Sequence, residues 1–373
     1  MKFFFILLFA TFCGQYTSAQ YFFNFSEGKN SYWSNPVNWN GGVVPPAEIT
    51  SVTLISPDNT DGWTCFLDVD NVTCWNEIKV SKHTSFTVLP GITIQCRNAI
   101  NVDSSAILNL HGSIAILCPI DINSNGTLNV YGGIYFDESD YCPDHGSSIA
   151  SRVLNLYGSI TMQRSWLYAT TFLNYGYVNL GLFGHLSAEV MVNNGTIEGN
   201  TSCDFYDLTN NGSIVLTATY FGLNGLLINN NIISADESLY LKGTIVNKGD
   251  INLTSPGLFK IEDANIINYG GISSYYGSIT PSVSGSINNF GFFGYTSTSS
   301  VSSEMDIINN GTFIVTNTFF NKGSVVNNKE MELSADIDTT RVKIPFINKG
   351  VLTSTGPIKL SDAFINQGQL IIQ

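Results

Sequence analysis

Four carboxylates crowd into Asp137-Glu-Ser-Asp-Tyr-Cys-Pro-Asp-His145, and oxygen-rich groups of that kind suit Ca²⁺. Asp137, Glu138, Asp140 and Asp144 are the candidate ligands, with His145 alongside. The competing reading is a solvated acidic loop tied down by Cys142. Acid–base chemistry would need paired carboxylates, or a Lys or Arg placed to abstract a proton beside a bound cation. Asn59-Thr60-Asp61, Gly184-His185 and Arg341-Val-Lys343 are scattered fragments of such sets, and no Asp-Asp pair occurs. Arg152 and Arg164 have few acids near them in sequence. His83, His111 and His185 lack acidic or cysteine neighbours at ligand spacing. Neither a zinc-type His/Glu pattern nor a phosphate loop, nucleophile elbow or dinucleotide fingerprint is present. The expectation is a chain without catalytic residues or a cofactor, Ca²⁺ on the 137–144 loop excepted.

Cysteine and asparagine offer a different chemistry. Of seven cysteines, Cys13 lies in the hydrophobic leader, leaving Cys65, Cys74, Cys96, Cys118, Cys142 and Cys203. An even number in an exported chain points to disulfides. Eight Asn-x-Ser/Thr sequons stand at Asn24, Asn71, Asn125, Asn194, Asn200, Asn211, Asn252 and Asn310, which in a eukaryotic host implies a glycoprotein. Trp33 and Trp39 are sugar-stacking candidates.

The leader itself reads as a signal peptide over residues 1–19. Lys2 precedes an apolar run from Phe3 to Phe12, and Thr17 and Ala19 occupy the cleavage positions, so the mature chain is expected to start at Gln20. No later run is long enough to cross a bilayer, and Ser361 to Gln373 holds no anchor signal. Without Lys2, 15 basic residues face 29 acidic ones, a net charge of −14. That balance disfavours nucleic acid and anionic membrane as partners.

The elements that would position these groups come from a repeat. From about residue 170 one phrase recurs: VNNGTI, TNNGSI, VNKGDI, INYGGI, INNGTF, INKGVL and INQGQL. The glycine, or its replacement at Asn231 and Lys329, marks a period of about 20 residues from 112 to 368. Two places after the marker stands an apolar residue in every repeat from Ile160 to Leu370. Its flanks are mixed, the alternation of a strand with one buried face. No stretch keeps a helical period. Two places before the marker, asparagine recurs at 174, 193, 210, 229, 247, 268, 289, 309, 327, 348 and 366, which in register makes a stacked amide ladder. The residue after each asparagine should face outward, carrying the sequons at Asn194, Asn211 and Asn310 with it. The expected fold is all-β: a single-stranded, right-handed parallel β-helix of about 15 coils of about 20 residues, near 70 Å long.

The earlier coils repeat in another dialect, Cys74-Trp-Asn-Glu-Ile-Lys-Val, Cys96-Arg-Asn-Ala-Ile-Asn-Val and Cys118-Pro-Ile-Asp-Ile-Asn. Stacked cysteines at about 4.8 Å fall within disulfide reach. Two pairings are open: 74–96 with 118–142, or 96–118 with 65–74. Cys203, about three coils from Cys142, is expected to be a free buried thiol. Residues 20–71 fall outside the repeat and are expected to cap it, with the helix over 72–373. At the far end, Gln369 to Gln373 opens a coil that does not close; two readings stand, pairing with a second copy end to end or with a matrix partner through Leu370 and Ile372, or an end covered by the short last strand, its carboxylate and nearby loops.

Trp33-Ser-Asn-Pro-Val-Asn-Trp39-Asn-Gly-Gly-Val-Val-Pro45, Val52, Leu54 and Phe66-Leu-Asp-Val-Asp70 resemble the opening motif of extracellular parallel β-helix proteins. These include pectin-lyase-like, adhesin-like and autotransporter-type chains and the eight-glycine extracellular domain. The resemblance implies a cell-surface or matrix role. A polygalacturonase-like site would read Asn-Thr-Asp, Asp-Asp, Gly-His-Gly and Arg-Ile-Lys; only the fragments named above are present. The function expected is a secreted structural or adhesive glycoprotein, matrix- or wall-associated, with an extracellular polysaccharide or a surface protein as partner. A polysaccharide-acting enzyme and a carbohydrate-binding module are the alternatives.

Overall fold

Alternating burial along short segments produces strands here, and the repeat length places each strand directly above its counterpart one coil earlier. The computed structural model describes residues 20–116, 121–136, 147–217, 220–254, 257–274, 278–296, 301–303, 305–316, 319–321, 323–334, 337–338, 345–355, 358–359 and 363–373. Among the described residues about 69% are in strands and none is in an α-helix, and the strands wind into stacked parallel coils of a β-solenoid. The apolar residue after each marker forms one column. Its Cα partners run Val72, Ile94, Ile114, Ile134, Ile160, Val178, Ile197, Ile214, Ile233, Ile251, Ile272, Phe293, Phe313, Met331, Leu352 and Leu370. These are fifteen steps of about 20 residues. All but Leu370 are buried.

The asparagine column is the second register mark. Each side-chain Nδ2 donates to Oδ1 of the asparagine one coil on, from Asn174 to Asn193 (2.7 Å) through Asn268 to Asn289 (2.8 Å) to Asn348 and Asn366 (2.7 Å). Nδ2 also reaches a main-chain oxygen on the next coil, as Asn268 does to Phe292 O at 2.8 Å. The main-chain oxygen accepts twice at seven of the eleven asparagines, as where Asn194 and Gly195 N–H both donate to Asn174 O, at 2.7 and 3.1 Å. Ten of the eleven are fully buried, and Asn366 is exposed. Burying this many amides is tolerable only because every rung is bonded. The marker glycine has a steric cause. A Cβ on Gly195 would lie 2.0 Å from Gly176 O, the oxygen that accepts from Thr196 N–H. Where Asn231 and Lys329 stand the turn accommodates a Cβ, so glycine serves the tightest levels.

Before Asn174 the same column is aliphatic: Leu67, Val88, Leu110, Val130 and Leu156. Residues 20–71 join the same sheet. Gln20–Phe23 pairs with Glu48–Leu54 and Asn30–Tyr32 with Trp63–Leu67, all parallel and continuous with later coils. Trp33 and Trp39 are 0% and 2% exposed, edge to face at 4.6 Å, with Trp39 Nε1 donating to Trp33 O. They fill the core at the start of the stack. A sugar platform needs an open ring face, so that reading of the two tryptophans is overturned.

Cys74 and Cys96 are Cα partners, as the aligned phrases require, and Glu77 to Val80 follow in register with Ala99 to Val102. The next partner of Cys96 is Ile116 rather than Cys118, which removes the in-register basis for a 96–118 bond. Cys65 belongs to another column, between Ser31 and Phe86. Cys65, Cys74, Cys96 and Cys203 are all buried and free; Cys118 and Cys142 lie outside the described residues. Burial pushes the Cys203 and Cys65 thiols well up. At the other end Gln369–Ile372 pairs with Val351–Ser354, with Leu370 half-buried and Ile372 exposed. Among the described residues no helix is long and apolar enough to cross a membrane.

Replacing Asn268 with Leu breaks the ladder on both sides and should cost roughly 1–3 kcal/mol in denaturant unfolding. Replacing exposed Lys248 with Ala should leave stability unchanged. Equal losses in the two variants would contradict the inward and outward assignment.

Candidate functional site

One inward column shrinks over four successive levels. Val80 and Val102 are followed by Ser124, Ser151, Ala169 and Ala188, after which Phe205 and Leu223 restore bulk. Four small side chains in a row leave a depression of about 460 Å³ at the adjacent corner. Asn123, Ala150, Tyr168 and Ser187 form one wall; Asn125, Arg152, Thr170 and Glu189 form the other. The corner is tight. Single residues turn it at Arg152, Thr170 and Glu189, while Asn125 and Gly126 share it one coil earlier, where the pairing register shifts. Ser124 Oγ is buried and has no hydrogen-bond partner.

The first wall continues along the rod as an outward facet. Ser187 is followed in register by Asp204, Gly222, Tyr240 and Lys260. Asp204 Oδ2 lies 3.9 Å from His185 Nε2. Burial raises the Asp204 carboxyl above its usual range, and His185 opposes that shift. Burial and then Asp204 push the Tyr220 hydroxyl up. At Gly222 a Cβ would meet Asp204 Oδ1 at 2.3 Å and the Tyr220 ring at 2.7 Å, so a larger residue would push both side chains aside. Lys260 Nζ sits 4.9 Å over the Tyr240 ring and 3.1 Å from Glu262, which also accepts from the Tyr240 hydroxyl. Groove and facet together offer amides, hydroxyls, ring edges and both signs of charge, a lining suited to a polyhydroxylated ligand.

A second outward surface is laddered. His111, Tyr131, Tyr157 and Tyr175 stack at 4.4, 4.9 and 5.3 Å with planes within 5°. Asn211 and Asn230 extend the line, their Nδ2 groups donating to Oδ1 of Asn194 and Asn211. A third ladder joins Asn155, Asn129 and Asn109 at 2.8 Å per rung. Rings stacked face to face show solvent only their edges.

The Ca²⁺ candidates Asp137, Glu138, Asp140 and Asp144 lie outside the described residues, with His145. Two histidines read as isolated have acids one coil away: His83 Nδ1 is 2.6 Å from Asp61 Oδ1, and His185 faces Asp204. Asn59-Thr60-Asp61 belongs to a surface loop. There Thr60 and Trp63, bonding to Asp58, hold its carboxyl down at about 2. Arg152 lines the groove, whereas Arg164 is an exposed turn residue with positive φ. Among the sequons, Asn24, Asn71, Asn125, Asn194 and Asn211 are exposed, while Asn200, Asn252 and Asn310 are half-buried. The outward placement expected of Asn310 is thus only partial.

No family model, curated protein or solved structure matches the chain.

Because ionised Asp204 is penalised in the fold, Asp204→Asn should raise the unfolding midpoint at about pH 8. The gain should shrink toward about pH 3, where the wild-type carboxyl is protonated in both states. A variant no more stable than wild type at the higher pH would contradict the account of a half-buried carboxylate penalised by the fold.

Proposed function

We propose that this chain is an exported structural or adhesive glycoprotein that presents a long, rigid, repetitive surface to an extracellular polysaccharide or a surface protein. The supporting observation is the laddering of the exterior. Like side chains stack outside as well as inside over runs of three or four coils, so within each run one contact chemistry repeats at a spacing of about 4.8 Å, matched to extended, repetitive partners. A second reading, a polysaccharide-acting protein, rests on the groove and the neighbouring His185–Asp204 pair. Incubating the secreted chain with a polysaccharide panel separates the two. Retention without new chain ends is the expected result; cleavage that His185→Ala or Asp204→Ala abolishes would overturn the first reading in favour of the second.

Export also exposes the chain to disulfide-bearing oxidants. Cys74 and Cys96, in register on adjacent coils, are spaced for a bond. Both thiols are buried in the finished fold, so the oxidant must reach Cys74 while the coils are still closing. The Cys74 thiolate attacks the oxidant's disulfide and expels one thiolate. Cys96, deprotonated in turn, attacks the mixed disulfide, closes the 74–96 bond and releases the second thiol. Peptide mapping of the secreted, alkylated protein without reduction should recover a 74–96 link. Recovery of both residues as alkylated free cysteines would refute it.

A further inference from the structure

From the position of Asn125 we infer that the groove is the seat of the chain's own N-linked glycan, whose innermost sugars lie along the rod instead of projecting into solvent. The inference rests on the export reading above. Asn125-Gly126-Thr127 is a sequon set at the groove's corner, at the point where strand pairing slips, and the Asn125 side chain is exposed and makes no hydrogen bond in the structure. By contrast, Asn211 donates its amide to Asn194, and Asn252 accepts from Ser273.

The groove leads away from Asn125. Its second wall runs past Arg152 and Thr170 to Glu189, three coil spacings or about 14 Å, room for the first sugars of a glycan. Arg152 and Glu189 are exposed and, among the described residues, unpaired, so a guanidinium donor and a carboxylate acceptor face the groove for sugar hydroxyls and an acetamido group. Tyr168 offers an apolar surface on the opposite wall. Beneath them Ser124 is 3% exposed, and its hydroxyl lacks a partner. That oxygen is turned to the core and closed to solvent, so the sugars bond to the two walls and rest over Ser124. The small floor residues then have a purpose: bulk at Ser151 or Ala169 would close the seat. The ligand class is the neutral N-acetylhexosamine stem of an N-glycan, attached covalently next to where it binds, so its effective concentration is high even when each contact is weak.

The test uses the full chain secreted from a eukaryotic host, with glycopeptide mass spectrometry and timed release by a peptide N-glycosidase under native conditions. Asn125 should carry a glycan that is released at least tenfold more slowly than those at Asn24 and Asn71. The rates should converge after denaturation, and Tyr168→Ala with Arg152→Ala, both at exposed positions, should bring the native rate at Asn125 up to the others. Glycans at Asn24 or Asn71 with Asn125 bare would overturn this inference and leave the export reading standing. Equal native release rates would overturn it too, as would protection that survives the double variant. Absence of glycan at every sequon would overturn both.

Discussion

The fold depends on a requirement that each coil place a residue directly over its equivalent one coil earlier, with every buried amide on that line bonded. The asparagine column meets the requirement from Asn174 onward. Each side chain accepts from one neighbour, donates to the next and ties down a turn oxygen, so a misplaced coil would strand several buried groups at once. Before Asn174 the column is aliphatic, and register there rests on side-chain volume and the parallel strand pairing. The chain therefore uses two solutions to one constraint, changing over between Leu156 and Asn174.

Stacking also decides what the surface can offer. A column that keeps its bulk gives a smooth facet, and one that loses it over four levels, as at Ser124, Ser151, Ala169 and Ala188, gives a groove. Over short runs of coils outward side chains meet their own kind, which turns tyrosines into edge-on stacks and asparagines into exposed ladders. Groove and ladders are thus by-products of the same repeat that builds the core, and the proposed adhesive and glycan-seating roles draw on them.

Much of this was legible in the sequence because the repeat is dense where the ladder runs. The asparagine and apolar columns, and the alignment of Cys74 with Cys96, follow from spacing alone. What escaped has a common cause. Side chains that meet in a solenoid are about 20 residues apart, so His185 with Asp204 and His83 with Asp61 are invisible to rules that look three or four residues away. The same geometry hid the groove, which is a run of small residues down a column and not along the chain. Trp33 and Trp39 were open to misreading because their segment lacks the repeat's phrase while sharing its sheet. Residues 137–145, where a cation site was expected, lie outside the described structure.

The central claim is that the buried amides act as one bonded line, and a double-mutant cycle tests it most directly. Asn268→Leu and Asn289→Leu, alone and together, are compared by urea unfolding with the distant pair Asn268→Leu and Asn348→Leu. Neighbouring rungs share a hydrogen bond, so the adjacent pair should cost less than the sum of its singles by about 0.5–3 kcal/mol, while the distant pair adds. Full additivity in both pairs would contradict the account.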